Sequence, residues 1–186
     1  MPSEDRIATF DQDSTTWVEH PLYAQAMFAL ERVHELPPGR PEWKTKQPFK
    51  AILRNDREAM GRFTDKDWGQ IIGVTHSGMT TEAFLKMSQE WLAHARHPRF
   101  KRPYTDLVYQ PMLEVMQYLR DHGFKTYIVT GFGQEFVRVC SAKVHGVPPE
   151  QVIGSSLATK YVYQDGKPVL LRSPRYCSMI TSTARP

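Results

Sequence analysis

Ile7-Ala-Thr-Phe-Asp-Gln-Asp-Ser-Thr15 is a short apolar run that breaks into two carboxylates and two hydroxyls. Arg6–Phe10 predicts a β-strand. Asp11 and Asp13 then stand at its C-terminal edge, where ligands collect in open α/β sheets. If the chain stays extended through this turn, the i and i+2 side chains share a side and two carboxylates face one spot. One carboxylate can act as a nucleophile while its neighbour serves as general acid and base. Such a pair also attracts a hard cation such as Mg²⁺, which takes oxygen ligands. Ser14 and Thr15 add hydroxyl and N–H groups suited to phosphate oxygens. The competing reading is a solvated loop, because Asp, Ser and Thr are ordinary turn formers.

Working outward, Leu22, Ala26, Leu30 and Val33 recur at helical spacing, and Pro37-Pro38-Gly39 ends that helix. Residues 40–103 are charged and helical in texture, with Thr80 or Thr81 capping a helix through Phe84–Leu92. Beyond Pro103 the texture changes. Pro111 opens a helix whose apolar face is Met112, Val115, Met116 and Leu119, with Gly123 just past its end. Thr126–Val129 reads as a strand, Gln134–His145 as a helix closed by Gly146, and Val152-Ile153 as the start of another short strand. Lys160–Leu171 reads as a hairpin about an Asp165-Gly166 turn. Alternating helices and strands predict an α/β fold with a parallel sheet. The helical block interrupts that sheet after its first strand. The expected division is core 1–16, helical cap 17–103 and core 104–186.

Thr130-Gly131 follows the strand Thr126–Val129 and offers a hydroxyl beside a flexible N–H, which suits a phosphoryl oxygen. Alone, it reads equally as a capped strand end. Taken together, the Asp11–Thr15 stretch, Tyr127-Ile-Val-Thr130-Gly131 and the intervening helical block resemble the haloacid dehalogenase superfamily, nearest its phosphoserine phosphatase-like branch. Ser14 departs from the commoner Gly of the first motif. The resemblance implies a Rossmann-like core with a helical cap and Mg²⁺-dependent hydrolysis of a small phosphorylated metabolite. It implies that Asp11 forms an aspartyl-phosphate and that Asp13 protonates the leaving oxygen and then activates water. It also implies that Asp11 and the Asp13 carbonyl hold Mg²⁺ while Ser14, Thr15, Thr130 and Gly131 bind phosphate.

The same resemblance implies a later basic residue and a later acidic pair. No Asp or Glu follows Asp165. Lys160, Lys167, Arg172 and Arg175 have no identifying spacing and read as solvated surface charge around the hairpin. The tail from Arg172 to Pro186 shows no periodicity and is expected to be irregular, as in a truncated chain. The strand that normally flanks the first would then be lost, leaving the first as a sheet edge. The alternative function is therefore a catalytically impaired remnant or an anion-binding module.

Charge patterning narrows the partners. Residues 160–186 hold five basic residues against one acidic, and so carry the whole net charge of +4. The basic character is terminal, and no nucleic-acid-binding face is expected. Arg96–Arg102 is basic with an interleaved aromatic and reads as a surface loop. Gly131-Phe132-Gly133 lacks the third glycine of a dinucleotide turn. Glu19 and His20 lie where a substrate-reading Glu stands in phosphoserine phosphatases, although Glu at a helix start also has an electrostatic explanation. Cys140 and Cys177 form no metal or disulfide pattern. No apolar run can span a bilayer and the first residues are polar, so the expectation is a cytoplasmic protein without a membrane partner.

Overall fold

β-Branched and aromatic residues supply the strands of an α/β sheet. A computed structural model describes residues 2–36 and 40–177. Strand β1 is Ile7–Phe10. Helices α1 (Ala24–Glu35), α2 (Phe49–Leu53), α3 (Arg57–Met60), α4 (Asp65–Thr75) and α5 (Thr81–His94) follow it. The chain returns through α6 (Gln110–Asp121), β2 (Lys125–Gly133), α7 (Gln134–His145), β3 (Val152–Gln164) and β4 (Lys167–Cys177). The strand order is β1-β2-β3-β4, with β1 parallel to β2 and β2 parallel to β3. Among the described residues β1 ends the sheet. No described helix is long and apolar enough to cross a membrane.

Local chemistry explains the boundaries. Thr64 and Asp67 form a reciprocal capping box at the start of α4. The Thr80 hydroxyl accepts from Ala83 N–H at 3.1 Å, which caps α5. Gly146 ends α7 with φ 67°, a left-handed conformation in which Gly pays little steric penalty. Asp165 and Gly166 have φ 50° and 74°, matching the two positive dihedrals of a type I′ turn, and join β3 to β4 as a hairpin. Pro37–Gly39, expected to stop α1, lie outside the described residues.

Two elements differ from the sequence expectation. The short strand at Val152 and the first arm of the hairpin are one strand of 13 residues. Between them Gly154-Ser-Ser-Leu-Ala-Thr159 contains no Pro, and Gly154 is accommodated in the ladder. Arg172–Cys177, expected as irregular tail, continue β4. Pairing beyond the hairpin explains this. Arg172 N–H donates to Met79 O and Gly78 N–H to Arg172 O, both at 2.9 Å. Residues 178–186 lie outside the described residues.

The chain forms two compact units. One comprises Met1–Gln25, Leu85–Ser156 and Cys177–Pro186, the other Ala26–Phe84 and Leu157–Tyr176. In the first, Met116 of α6, Ile128 of β2, Val137 of α7, Val147 and Val152 make a buried cluster joined by Phe10. In the second, Phe28, His76 and Phe84 pack their rings together. The stretch 17–103 is thus shared: residues 26–84 lie in the second unit, and 17–25 and 85–103 in the first.

Candidate functional site

The chain does not stay extended past β1. Gln12 O accepts N–H bonds from Thr16 and Trp17, both at 3.0 Å, and Ser14 N–H donates to Trp17 O at 3.0 Å. Closing so tight a loop puts Ser14 at φ 67°. The expected extended arrangement of Asp11 and Asp13 is therefore replaced by a hydrogen-bonded turn. That turn is anchored from Tyr104–Tyr109. The Trp17 indole N–H donates to Tyr104 O at 2.7 Å. Val18 N–H donates to Leu107 O and Tyr109 N–H to Thr16 O, each at 3.1 Å.

The turn still keeps the two carboxylates within electrostatic reach. Asp13 is pushed up to about 7, first by burial and then by the negative charges of Asp11 and Glu19. Each effect disfavours the ionised Asp13 carboxylate. The Tyr109 hydroxyl donates to Glu19 Oε2 at 2.5 Å. That bond holds Glu19 below its ordinary value and raises Tyr109 to about 12. His20 Nε2 lies 3.7 Å from the other Glu19 oxygen. Gln12, between the two aspartates, is buried, and its Nε2 has no hydrogen-bond partner among the described residues.

Thr130 comes from the neighbouring strand. Thr126, Ile128 and Thr130 alternate as the buried face of β2. Phe10 pairs with Ile128. Asp11 follows that pair by one residue and Thr130 by two, so both stand at the C-terminal end of adjacent parallel strands. Thr130 Oγ1 accepts from Phe132 N–H at 3.2 Å. Gly154 pairs with Thr130, and a Cβ there would lie 2.8 Å from both Thr130 Cγ2 and Phe132 O, so Gly is required by space. Gly131 O accepts from the Ser155 hydroxyl at 2.8 Å, and Gly133 N–H donates to Gln25 Oε1 at 2.8 Å. The dinucleotide-like Gly131-Phe132-Gly133 is thus the irregular end of β2, running directly into α7.

Of the remaining expected phosphate binders, Ser14 is exposed and Thr15 half-buried. The Ser14 N–H is committed to Trp17 O, which leaves its hydroxyl to offer. Among the described residues no three His, Cys, Asp or Glu side chains gather as a metal cluster. Lys160, Lys167 and Arg175 are exposed as expected, but Arg172 is not. It is only 3% accessible. Its guanidinium lies 4.0 Å above the Phe84 ring centroid, and its Nε donates to His76 O at 2.8 Å. The surface-charge expectation fails because β4 runs on through Arg172, and a planar guanidinium can stack on an aromatic face while donating sideways.

Sequence reading did not find Gln25 or Tyr109. Both act across more than eighty residues, and neither sits in a local motif.

A family model described as haloacid dehalogenase-like hydrolase matches residues 8–177. No curated protein is detectably similar. Among solved structures, a protein of unknown function from Bordetella pertussis Tohama I resembles the chain with TM-score 0.51 and 22% identity. The similarity covers 92% of this chain and 66% of that one, so the chain spans slightly less than two thirds of that neighbour. At this identity the likeness concerns the fold, an α/β core.

Proposed function

This chain belongs to the haloacid dehalogenase-like hydrolases, and from that premise we propose that its Asp11 loop and Thr130 form one phosphoryl site for hydrolysis of a phosphate monoester. The observation that carries the reading is the β1–β2 register, which brings the Asp11 loop and Thr130 to the same end of neighbouring strands. Burial and the neighbouring Asp11 and Glu19 charges, which push the Asp13 carboxyl up to about 7, support it further.

In this reading an Asp11 carboxylate oxygen attacks phosphorus while the ester P–O bond breaks. Asp13 gives its proton to the departing oxygen. Water then attacks the aspartyl-phosphate, its proton passes to Asp13, and inorganic phosphate leaves with the Asp11 carboxylate restored. Thr130, Gly131, Ser14 and Thr15 hold the phosphoryl oxygens. Hard oxygen donors at Asp11 and Asp13 fit Mg²⁺, which when bound neutralises phosphate charge. The helical residues inserted after β1 serve as the cap, the arrangement of the phosphoserine phosphatase-like branch.

A second reading has its own observation. Among the described residues no three His, Cys, Asp or Glu side chains gather, so no third such group joins Asp11 and Asp13. Mg²⁺ held by two groups keeps most of its water. On this reading the chain binds phosphate but turns over slowly or not at all. Hydrolysis of para-nitrophenyl phosphate with Mg²⁺ separates the two. Family-like turnover abolished by Asp11→Asn supports the enzyme. Phosphate binding without turnover supports the anion-binding module. Neither turnover nor binding defeats both.

A further inference from the structure

We propose that Tyr23 and Phe132 select the leaving group, and that this site takes phosphate monoesters of flat, aromatic alcohols rather than of small aminated ones. The inference rests on the phosphoryl site proposed above.

Phe132 stands two residues after Thr130, and its N–H is bonded to the Thr130 hydroxyl at 3.2 Å. The Phe132 backbone is thereby tethered to the group assigned to phosphate. Tyr23, immediately before α1, meets the Phe132 ring edge-on, with centroids 5.2 Å apart and planes at 78°. Both segments are fixed. Gly133 N–H is bonded to Gln25 Oε1, and a Cβ at Gly133 would come within 2.7 Å of Gln25 Nε2. The segment carrying Phe132 is therefore joined to the segment carrying Tyr23 by a hydrogen bond through the Gln25 side chain.

Neither ring is spent on the core. Tyr23 remains 38% exposed, and Phe132 is half-buried. A T-shaped pair leaves ring surface on which a third ring can stack or abut, an interaction that adds to simple apolar burial when the incoming group is aromatic. An aliphatic alcohol of similar polarity gains little there.

Glu19 argues in the same direction. A site reading a substrate ammonium needs a carboxylate with an oxygen to give. One Glu19 oxygen accepts from the Tyr109 hydroxyl at 2.5 Å, and the other faces His20 at 3.7 Å. An ammonium meets a carboxylate already engaged through one oxygen by Tyr109, whereas an aromatic leaving group leaves this arrangement intact.

Calorimetric titration of the chain with Mg²⁺ present and with phenylphosphonate, ethylphosphonate and inorganic phosphate tests the inference, since C–P bonds do not hydrolyse. Phenylphosphonate is expected to bind about tenfold more tightly than ethylphosphonate. Tyr23→Ala should bring the two within about twofold while leaving inorganic phosphate binding unchanged, and Tyr23→Phe should keep the preference. Phe132→Leu, which retains apolar bulk, provides a second variant should Tyr23→Ala unfold. Equal binding of the two phosphonates, or a preference that survives in folded Tyr23→Ala or Phe132→Leu, overturns the aromatic-selectivity proposal alone. Failure of inorganic phosphate to bind overturns the phosphoryl site and this inference with it.

Discussion

The Asp11–Trp17 loop and the His76–Arg172 cluster both withdraw charged or titratable groups from water, and they do so with opposite consequences. In the loop, like charges are crowded. Burial, Asp11 and Glu19 together push Asp13 up to about 7, a value useful for moving protons and costly for stability when the group ionises. In the cluster, a single guanidinium is stacked on Phe84 and bonded to the His76 carbonyl. His76 is driven down to about 3, first by burial and then by the positive charges of Arg172 and Arg32, so it stays neutral. The first arrangement favours the protonated Asp13 carboxyl. The second holds its guanidinium against the Phe84 ring and the His76 carbonyl, and leaves His76 Nε2 without a hydrogen-bond partner among the described residues.

Substitution should separate the two regions most sharply at Arg172. Arg172→Ala removes the stacking and strands a buried carbonyl, which together should cost about 3 kcal/mol or more. Denaturant unfolding checks this, with Asp11→Asn expected to leave the midpoint unchanged or raise it. A cost for Arg172→Ala below about 1 kcal/mol would restore the surface-charge reading.

Gly154→Ala probes the same contrast from the site's side. Its Cβ would strike Thr130 Cγ2 and the Phe132 carbonyl at 2.8 Å. Backbone cannot yield as a side chain can, so a loss of about 1–3 kcal/mol is expected, together with weakened phosphate binding. Unaltered stability and binding would mean that β2 and β3 have slack at this pair.

The smallest expected effect concerns pH. Buried His145 is lowered to about 4 and neither ring nitrogen has a hydrogen-bond partner among the described residues. Between its ordinary value of 6.5 and about 4 the unfolded chain binds the proton that the folded chain refuses. Its contribution to stability is therefore lost as pH falls through that window, and His76 adds a loss of the same sign toward about 3. Asp13 runs the other way: its raised value stabilises the fold at low pH, and this contribution is lost as pH rises through about 7. His145→Leu should make the acid limb shallower and raise stability at neutral pH by about 1 kcal/mol, as read from thermal melts at several pH values. An unchanged limb would mean that His145 does not charge on unfolding.

What was legible follows from range. The α/β order, the Asp165-Gly166 turn, the Thr80 cap and the α7 stop at Gly146 rest on residues a few positions apart, and the structure has them. The continuity of β3 and the burial of Arg172 were not legible. Arg172 is held by Met79, Gly78, His76 and Phe84, roughly ninety residues away, and no local pattern announces such partners. The placing of Asp11 and Thr130 at the ends of strands could be read because each follows a compact apolar run. The bend at Ser14 could not, because it depends on Trp17 being anchored to Tyr104. Tyr109 shows the same limit: the chain gives no sign at position 109 that its hydroxyl will meet Glu19.

The central claim is that Asp11 and Thr130 serve one phosphoryl group. Its most direct test is ¹⁹F NMR of the chain with Mg²⁺ and beryllium fluoride, which adds to a reactive carboxylate in the shape of an acyl phosphate. A bound fluoride signal is expected that requires Mg²⁺, disappears in Asp11→Asn and weakens in Thr130→Val. No bound signal, or one that persists in Asp11→Asn, would contradict it.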